Sequence, residues 1–209
     1  MVGRIIETDA CVIEGADWLR ANVACFGPVL DQTGALPLRR KKDGFETLLN
    51  AIVGQQVSVA AADAIWRRLK AAKLTGPRKI NWATDEELRA AGLSSQKVRY
   101  ARALAEARID FKALRDVPDD EVIAILTEVT GIGVWTAEIY AMFSLGRADV
   151  FAHGDLALQE AAKHMLGLEK RPTEREMRGL AEPWTPWRSV AAQALWAYYR
   201  VIKQREGIR

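Results

Sequence analysis

The chain has 209 residues, 49% hydrophobic and 27% charged, with 30 basic against 27 acidic side chains and a net charge of +3. That balance is the composition of an ordinary folded protein and speaks against disorder; a charge so close to neutrality also excludes recognition of a polyanion by bulk electrostatics, so any such partner needs basic side chains gathered on one face. Two cysteines, Cys11 and Cys25, are too few for a disulfide framework or a four-thiolate iron–sulfur cluster. No apolar run is long enough to span a bilayer. The first residues carry Glu7, Asp9 and Glu14 instead of a basic segment followed by an apolar one, so neither a secretory signal nor a membrane partner is expected, and the expected location is cytosolic or nucleoid.

In chain order, residues 1–14 take no assignment, because Ile5, Ile6, Val12 and Ile13 fit a short extended segment as well as a helix. Trp18, Leu19 and Val23 predict a first helix from Ala16 to Phe26, stopped by Gly27-Pro28. Asp31 to Gly44, with the basic run Arg39-Arg40-Lys41-Lys42, reads as a loop. Phe45, Leu48, Leu49 and Ile52 have the spacing of one buried helical face, ended at Gly54; Gln55-Gln56-Val57 connects it to a helix that Ser58 caps and that carries Ala62, Ile65, Trp66 and Leu69 inward. Thr84 and Glu87 form a capping box, Gly92 closes that helix, and Ser94 opens the next, with Val98, Ala101 and Ala105 on its apolar face.

Pro118-Asp119 introduces a helix in which Val122, Ile125, Leu126 and Val129 fall at i, i+3, i+4 and i+7. It runs into Gly131-Ile132-Gly133-Val134-Trp135-Thr136-Ala137, where the glycines permit a tight turn and leave backbone amides unshielded at the start of another helix. Unpaired amides and the helix dipole both favour an anion there, and a phosphate is the obvious guest. Beyond Asp155 a stripe of Leu158, Ala161, Ala162 and Met165 ends at Gly167, Thr173 and Glu176 make a second capping box, and Thr185-Pro186 reads as N-cap and first residue of a last long helix carrying Ala191, Ala194, Leu195 and Tyr198. No alternating β-branched run intervenes. The expected fold is all-α, about ten helices, without a long linker across residues 1–209.

The Gly-Ile-Gly-Val-Trp-Thr-Ala turn, followed by Asp149-Val150-Phe151 and by Asp155 twenty residues beyond Trp135, resembles the helix-hairpin-helix motif, loop and catalytic aspartate of DNA repair glycosylases, in the alkyladenine (3-methyladenine DNA glycosylase II) branch. Phe45 to Leu49 with Ile52 to Ser58 is similar to that family's DNA-probing segment, and Pro183 to Ser189 with Trp196 to its closing helix. The resemblance covers residues 45 to about 200 and is to the compact form, without the additional β-rich domain that some members carry. It implies a two-lobed helical bundle with the hairpin, at about residues 120–145, beside the active-site cleft. It also implies a monofunctional glycosylase of base excision repair that hydrolyses the N-glycosidic bond of flipped-out alkylated purines, chiefly 3-methyladenine and secondarily 7-methylguanine, in double-stranded DNA, acting as a monomer.

The same resemblance assigns roles residue by residue. Asp155 would stabilise the oxocarbenium-like sugar or orient water, although an Asp ahead of an apolar helix is by local sequence a simple N-cap. Trp135 stands where bifunctional relatives have lysine; indole cannot form a Schiff base, so no lyase step is expected, and its face would favour cationic bases. Trp196 would form a second pocket wall, with Ile139 and Ala197 where some relatives have tyrosines, while Trp184 and Trp187 read as packing residues. Gly131, Gly133 and the Thr136 hydroxyl would hold a DNA phosphate, and Gln56 would enter the gap left by the extruded nucleotide or else be a solvent-facing turn residue. No cofactor is required; a structural monovalent cation at the hairpin carbonyls is the family's habit. His153 and His164 lack the further ligands of a metal site, His153 being placed to tune Asp155 or touch DNA and His164 on a helix surface. Arg188 reads as a helix-start anchor. The basic groups Arg39 to Lys42, Arg67-Arg68, and Arg200, Lys203, Arg205 and Arg209 are either DNA contacts or solvated surface. The alternatives are a noncatalytic helix-hairpin-helix module that recognises damaged DNA, or a glycosylase with another damaged-base preference.

Overall fold

The computed structural model describes residues 2–205, so Arg209 and the side chain of Arg205 lie outside the described residues. Lys41–Tyr140 form one compact unit, and Gly3–Arg40 with the chain from Ala141 onward form a second. Among the described residues twelve α-helices appear where about ten were expected, and the only extended pairing is an isolated bridge between Ile5 and Arg147. The all-α reading holds.

Helix α1 (Asp9–Asn22) begins seven residues before the predicted start at Ala16. The local signal is weak there: Thr8 at the N-cap makes no side-chain capping bond, and a glycine interrupts the helix. That glycine serves packing, since a Cβ on Gly15 would come within 2.7 Å of Trp187 Cε3 and of Val190 Cγ2. Helix α2 (Phe26–Thr33) overturns the prediction that Gly27-Pro28 stops the chain. Pro28 sits in the first turn, where its missing N–H would have no intrahelical acceptor anyway. The predicted loop is correspondingly shortened, and α2 closes at Gly34, whose N–H donates to Leu30 O at 3.1 Å.

The unit Lys41–Tyr140 is built from α3 (Phe45–Gly54), α4 (Val59–Ala71), α5 (Pro77–Trp82), α6 (Asp85–Ala90), α7 (Ser95–Glu106), α8 (Asp119–Thr127) and α9 (Val134–Tyr140). The expected caps form: Ser58 accepts from Ala61 N–H, Ser94 from Lys97 N–H, and Thr84 with Glu87 makes the reciprocal box. Helix α5 was not foreseen, because six residues are too short to show a period, although Pro77 occupies the helix-start position where proline is favoured. Helix α7 packs against both α3 and α5, burying Val98, Ala101 and Leu104 with Leu48, Leu49, Ile52 and Ile80.

In the other unit a buried π-helical turn, Ala141–Leu145, precedes the loop to α10 (Leu156–Leu166), which ends at Gly167 in the left-handed region (φ +63°). The second capping box, Thr173 with Glu176, opens α11 (Glu174–Leu180). Helix α12 (Arg188–Arg205) starts later than the Thr185-Pro186 prediction. Trp187 N–H donates to Trp184 O at 2.8 Å, closing a turn that contains Pro186, and Trp187 O is the first carbonyl to accept within the helix. Small buried Ala191, Ala192 and Ala194 let α12 lie close against its neighbours α1, α2 and α10. Trp184 and Trp187 are buried packing residues, as expected; Trp184 meets Phe26 and Phe151 edge-on, with ring centroids 5.3 and 5.4 Å away.

Candidate functional site

Asp155 is the N-cap of α10 and half-buried. Its Oδ1 accepts from Ala157 N–H at 2.9 Å and Leu158 N–H at 3.1 Å, and the indole Nε1–H of Trp196 donates to the same oxygen at 3.2 Å. The capping geometry expected from local sequence is therefore present, and it does not compete with a chemical role. Hydrogen bonds from a helix start and an indole fix the carboxylate's orientation. Trp196 comes from α12, forty-one residues later, and its ring also lies against Phe143 at 5.7 Å between centroids.

The segment leading to Asp155 is fastened to the start of α12. Arg188 makes a two-pronged pair with Asp149, Nε to Oδ1 at 2.7 Å and Nη2 to Oδ2 at 2.9 Å, which bears out its reading as a helix-start anchor. Ser189, only 1% exposed, has its hydroxyl 2.5 Å from Arg147 O and 2.7 Å from Val150 O, while its N–H donates to Ala148 O at 2.9 Å. Sequence reasoning missed the serine; it carries no periodic signal and its partners lie about forty residues away. His153 is buried, its ring edge-on to Phe151 at 5.1 Å and its carbonyl accepting from Gln159 Nε2 at 2.9 Å. His164 lies on the α10 surface beside Glu160, as expected.

The hairpin lies in the other unit, between α8 and α9. Val122, Leu126 and Val129 are buried and Ile125 half-buried, confirming the predicted face. Gly131 has φ +98°, and a Cβ there would fall 2.3 Å from Tyr100 Cγ, so both backbone and packing demand glycine. Gly133 faces open space, and its carbonyl accepts the first α9 bond from Ala137 N–H at 3.1 Å. The amides of Val134, Trp135 and Thr136 belong to the first turn of α9, which has no acceptor within its own helix. Val134 and Trp135 stand exposed around it, Trp135 at 48%. Thr136 is buried, at 8% exposure. Tyr140 closes α9 from beneath, its hydroxyl accepting Gly44 N–H at 2.7 Å, and burial pushes its pKa up to about 12.

Gln56 is exposed and held at φ +54°, which turns its side chain out of the line of α3 and α4. Its neighbour does what sequence gave no hint of: Gln55 Nε2 donates to the hairpin carbonyl of Gly131 at 2.9 Å. Buried Lys97 holds the same end of α3 through Nζ to Val53 O at 2.6 Å, and desolvation lowers its pKa. The Gln55-Gln56-Val57 turn and the hairpin are thereby tied within one unit. Among the described residues no group of three or more His, Cys, Asp or Glu side chains could hold a metal, and no helix is long and apolar enough to cross a membrane.

Residues 49–186 match the HhH-GPD superfamily of base excision DNA repair proteins. DNA-3-methyladenine glycosylase 1 of Schizosaccharomyces pombe is 32% identical over 178 residues, which span 81% of this chain and 78% of that protein. The crystal structure of a DNA-3-methyladenine glycosidase from Bacillus halodurans superposes with a TM-score of 0.82 at 32% identity, over 97% of this chain and 95% of that one. That of the S. pombe 3-methyladenine DNA glycosylase in complex with abasic DNA gives 0.76 at 30% identity, over 88% and 95%.

Proposed function

The chain belongs to the HhH-GPD superfamily of base excision DNA repair proteins, and from that footing we infer a DNA glycosylase that removes alkylated bases. The observation that carries the chemical reading is Asp155, whose Oδ1 is held by two helix-start amides and the Trp196 indole. In the reaction the N-glycosidic electron pair leaves with the base, the sugar becomes oxocarbenium-like, and water adds at the same carbon with loss of a proton, leaving an abasic site. A carboxylate of fixed orientation stabilises that cation and receives or steers the proton of the water. Alkylated purines such as 3-methyladenine and 7-methylguanine depart readily because they are already cationic, so little acid catalysis is asked of the protein. The base must first leave the stack.

Around that step the other residues take separate parts. The exposed Trp135 offers an indole face to a cationic base, a contact of about 0.5–2 kcal/mol, and lacks the amine that strand cleavage by Schiff base needs. The amides at the start of α9, set by Gly131 and Gly133, suit a duplex phosphate, a contact that positions DNA without reading sequence. Gln56, exposed on its left-handed turn, is the group to fill the vacated stack. The carbonyls of Val129, Gly131 and Gly133 each accept one N–H and keep a second lone pair. Such a neutral oxygen set suits a monovalent cation bridging hairpin and phosphate, a structural part only.

The test is release of methylated base from methylated duplex DNA by the purified chain and by Asp155→Asn. Asparagine keeps a capping oxygen and removes the charge. Release should fall by about two to three orders of magnitude while duplex binding survives, the size typical of losing a group aimed at developing charge. Full release by the variant would remove Asp155 from the chemistry, and no release by the native chain would leave a noncatalytic DNA-binding module.

A further inference from the structure

A second feature of the unit Lys41–Tyr140 lies on α4, α5 and the turn between them. From residue 64 to residue 84 the chain carries Arg67, Arg68, Lys70, Lys73, Arg78 and Lys79 and no acidic residue, in a protein whose whole net charge is +3. Two of the six are engaged inside the unit: Arg68 Nε donates to Ala91 O at 2.9 Å, and Lys70 reaches Glu46 at 3.9 Å. Arg67, Lys73, Arg78 and Lys79 are exposed. Trp82, the last residue of α5, is 75% exposed. Arg78 and Lys79 precede it by four and three residues and so share its face of the helix, and Lys79 Nζ lies 5.9 Å from the indole centroid. An exposed tryptophan at the end of a basic run, just ahead of the acidic Asp85, Glu86 and Glu87, is an unusual surface. Indole is normally buried over most of its area, and the packing of α5 is supplied by Ile80 on the opposite side.

We propose that Trp82 with Lys73, Arg78 and Lys79 forms a binding surface for single-stranded DNA, separate from the hairpin. The charges fix the class of partner as a polyanion, and the flat exposed ring selects among polyanions. A base in an intact duplex has both faces covered by its neighbours; an unpaired nucleotide can lay one face on the indole while Lys79 and Arg78 hold its flanking phosphates. An acidic peptide would satisfy the charges and leave the ring without a planar partner. The surface gives the protein a hold on unpaired nucleotides that does not involve Asp155 or the hairpin amides.

The experiment is a fluorescence-anisotropy titration of the full chain with a labelled, undamaged oligo-dT of twelve nucleotides, beside Trp82→Ala, Arg78→Glu/Lys79→Glu and Trp135→Ala. Thermal melting serves as a folding control, and a labelled Asp/Glu-rich dodecapeptide as competitor. Trp82→Ala should weaken oligo-dT binding by about tenfold, within the range of one lost base–aromatic stack, and the double charge reversal should flatten the salt dependence by a slope of at least about 1.4. Both variants should release methylated base from duplex DNA at the native rate, which separates this surface from the glycosylase reading. Native affinity for oligo-dT in Trp82→Ala, loss only in Trp135→Ala, or loss of the peptide with retention of the oligonucleotide would each overturn the proposal.

Discussion

The indole N–H of Trp196 points at Asp155 Oδ1 from 3.2 Å, and that same oxygen caps the first turn of α10. One atom therefore joins the end of a loop, the start of one helix and the middle of another. Trp196→Phe keeps an aromatic ring beside Phe143 while deleting the donor and one ring of the indole. A hydrogen bond to a charged group is worth about 1.5–3 kcal/mol, so single-turnover base release should slow by about tenfold or more while affinity for duplex DNA changes little. An unaltered rate constant would mean that the indole N–H does not orient the carboxylate.

Substituting Asp155 itself separates capping from chemistry. Asparagine and aspartate cap about equally well and alanine does not, so Asp155→Ala should cost about 1 kcal/mol of stability, with Asp155→Asn nearly neutral. Urea unfolding followed by circular dichroism reads the difference. If both variants also lose base release, the charge is what the reaction needs; if asparagine destabilises as much as alanine, the cap is not formed by this side chain.

What could be read from the chain alone was whatever is local. Ser58, Ser94 and the Thr84 and Thr173 boxes announce their helices through bonds spanning three residues, and Gly167 ends its helix in the left-handed region. Helix α2 was hidden because Gly27-Pro28 reads as a stop unless proline happens to fall in a first turn, and α1 because its start leans on no capping bond. For the site, the family resemblance named Asp155 and Trp196, but their hydrogen bond, the Ser189 clamp and the Gln55 tie to Gly131 all join residues at least thirty-nine apart. No periodicity carries such pairings.

The two hairpin glycines should respond differently to alanine. At Gly131 the backbone has φ +98° and the new Cβ would meet the root of the Tyr100 ring at 2.3 Å, a contact that cannot be relieved by moving a flexible tip. Gly131→Ala should destabilise by roughly 1–3 kcal/mol or more, whereas Gly133→Ala, open on all sides, should fold normally. Denaturation midpoints of the two variants test this. Equal, small losses would show that the turn can relax away from Tyr100.

Ser189→Ala tests the loop clamp. The hydroxyl is buried and bridges the Arg147 and Val150 carbonyls, so its removal strands acceptors in the interior at a cost of about 1–3 kcal/mol. Because those carbonyls belong to the segment that delivers Asp155, the variant should also release base more slowly at temperatures well below its melting point. Ser189→Thr, which restores a hydroxyl, adds a methyl to a fully packed position and should not rescue stability completely. A native melting temperature in Ser189→Ala would show that the backbone N–H of residue 189, donated to Ala148 O, is sufficient to hold the loop.

The two cysteines should titrate apart. Cys11 stands in the first turn of α1, where a hydrogen bond from Thr8 and then backbone hydrogen bonds at Glu7 and Thr8 lower its pKa from 9.0 to about 7; burial instead raises that of Cys25. A lowered pKa means that the folded protein holds the thiolate at pH values where the unfolded chain holds the thiol. The associated stabilisation is complete above about pH 9, shrinks as the pH falls toward 7, and is gone below it. Alkylation by iodoacetamide, followed peptide by peptide in the mass spectrometer, should therefore show Cys11 reacting with a midpoint near pH 7 and Cys25 lagging until the solution is distinctly alkaline. In concentrated urea the two midpoints should converge near 9. Identical profiles in the folded protein would mean that the Thr8 hydroxyl and the start of α1 do not stabilise the thiolate.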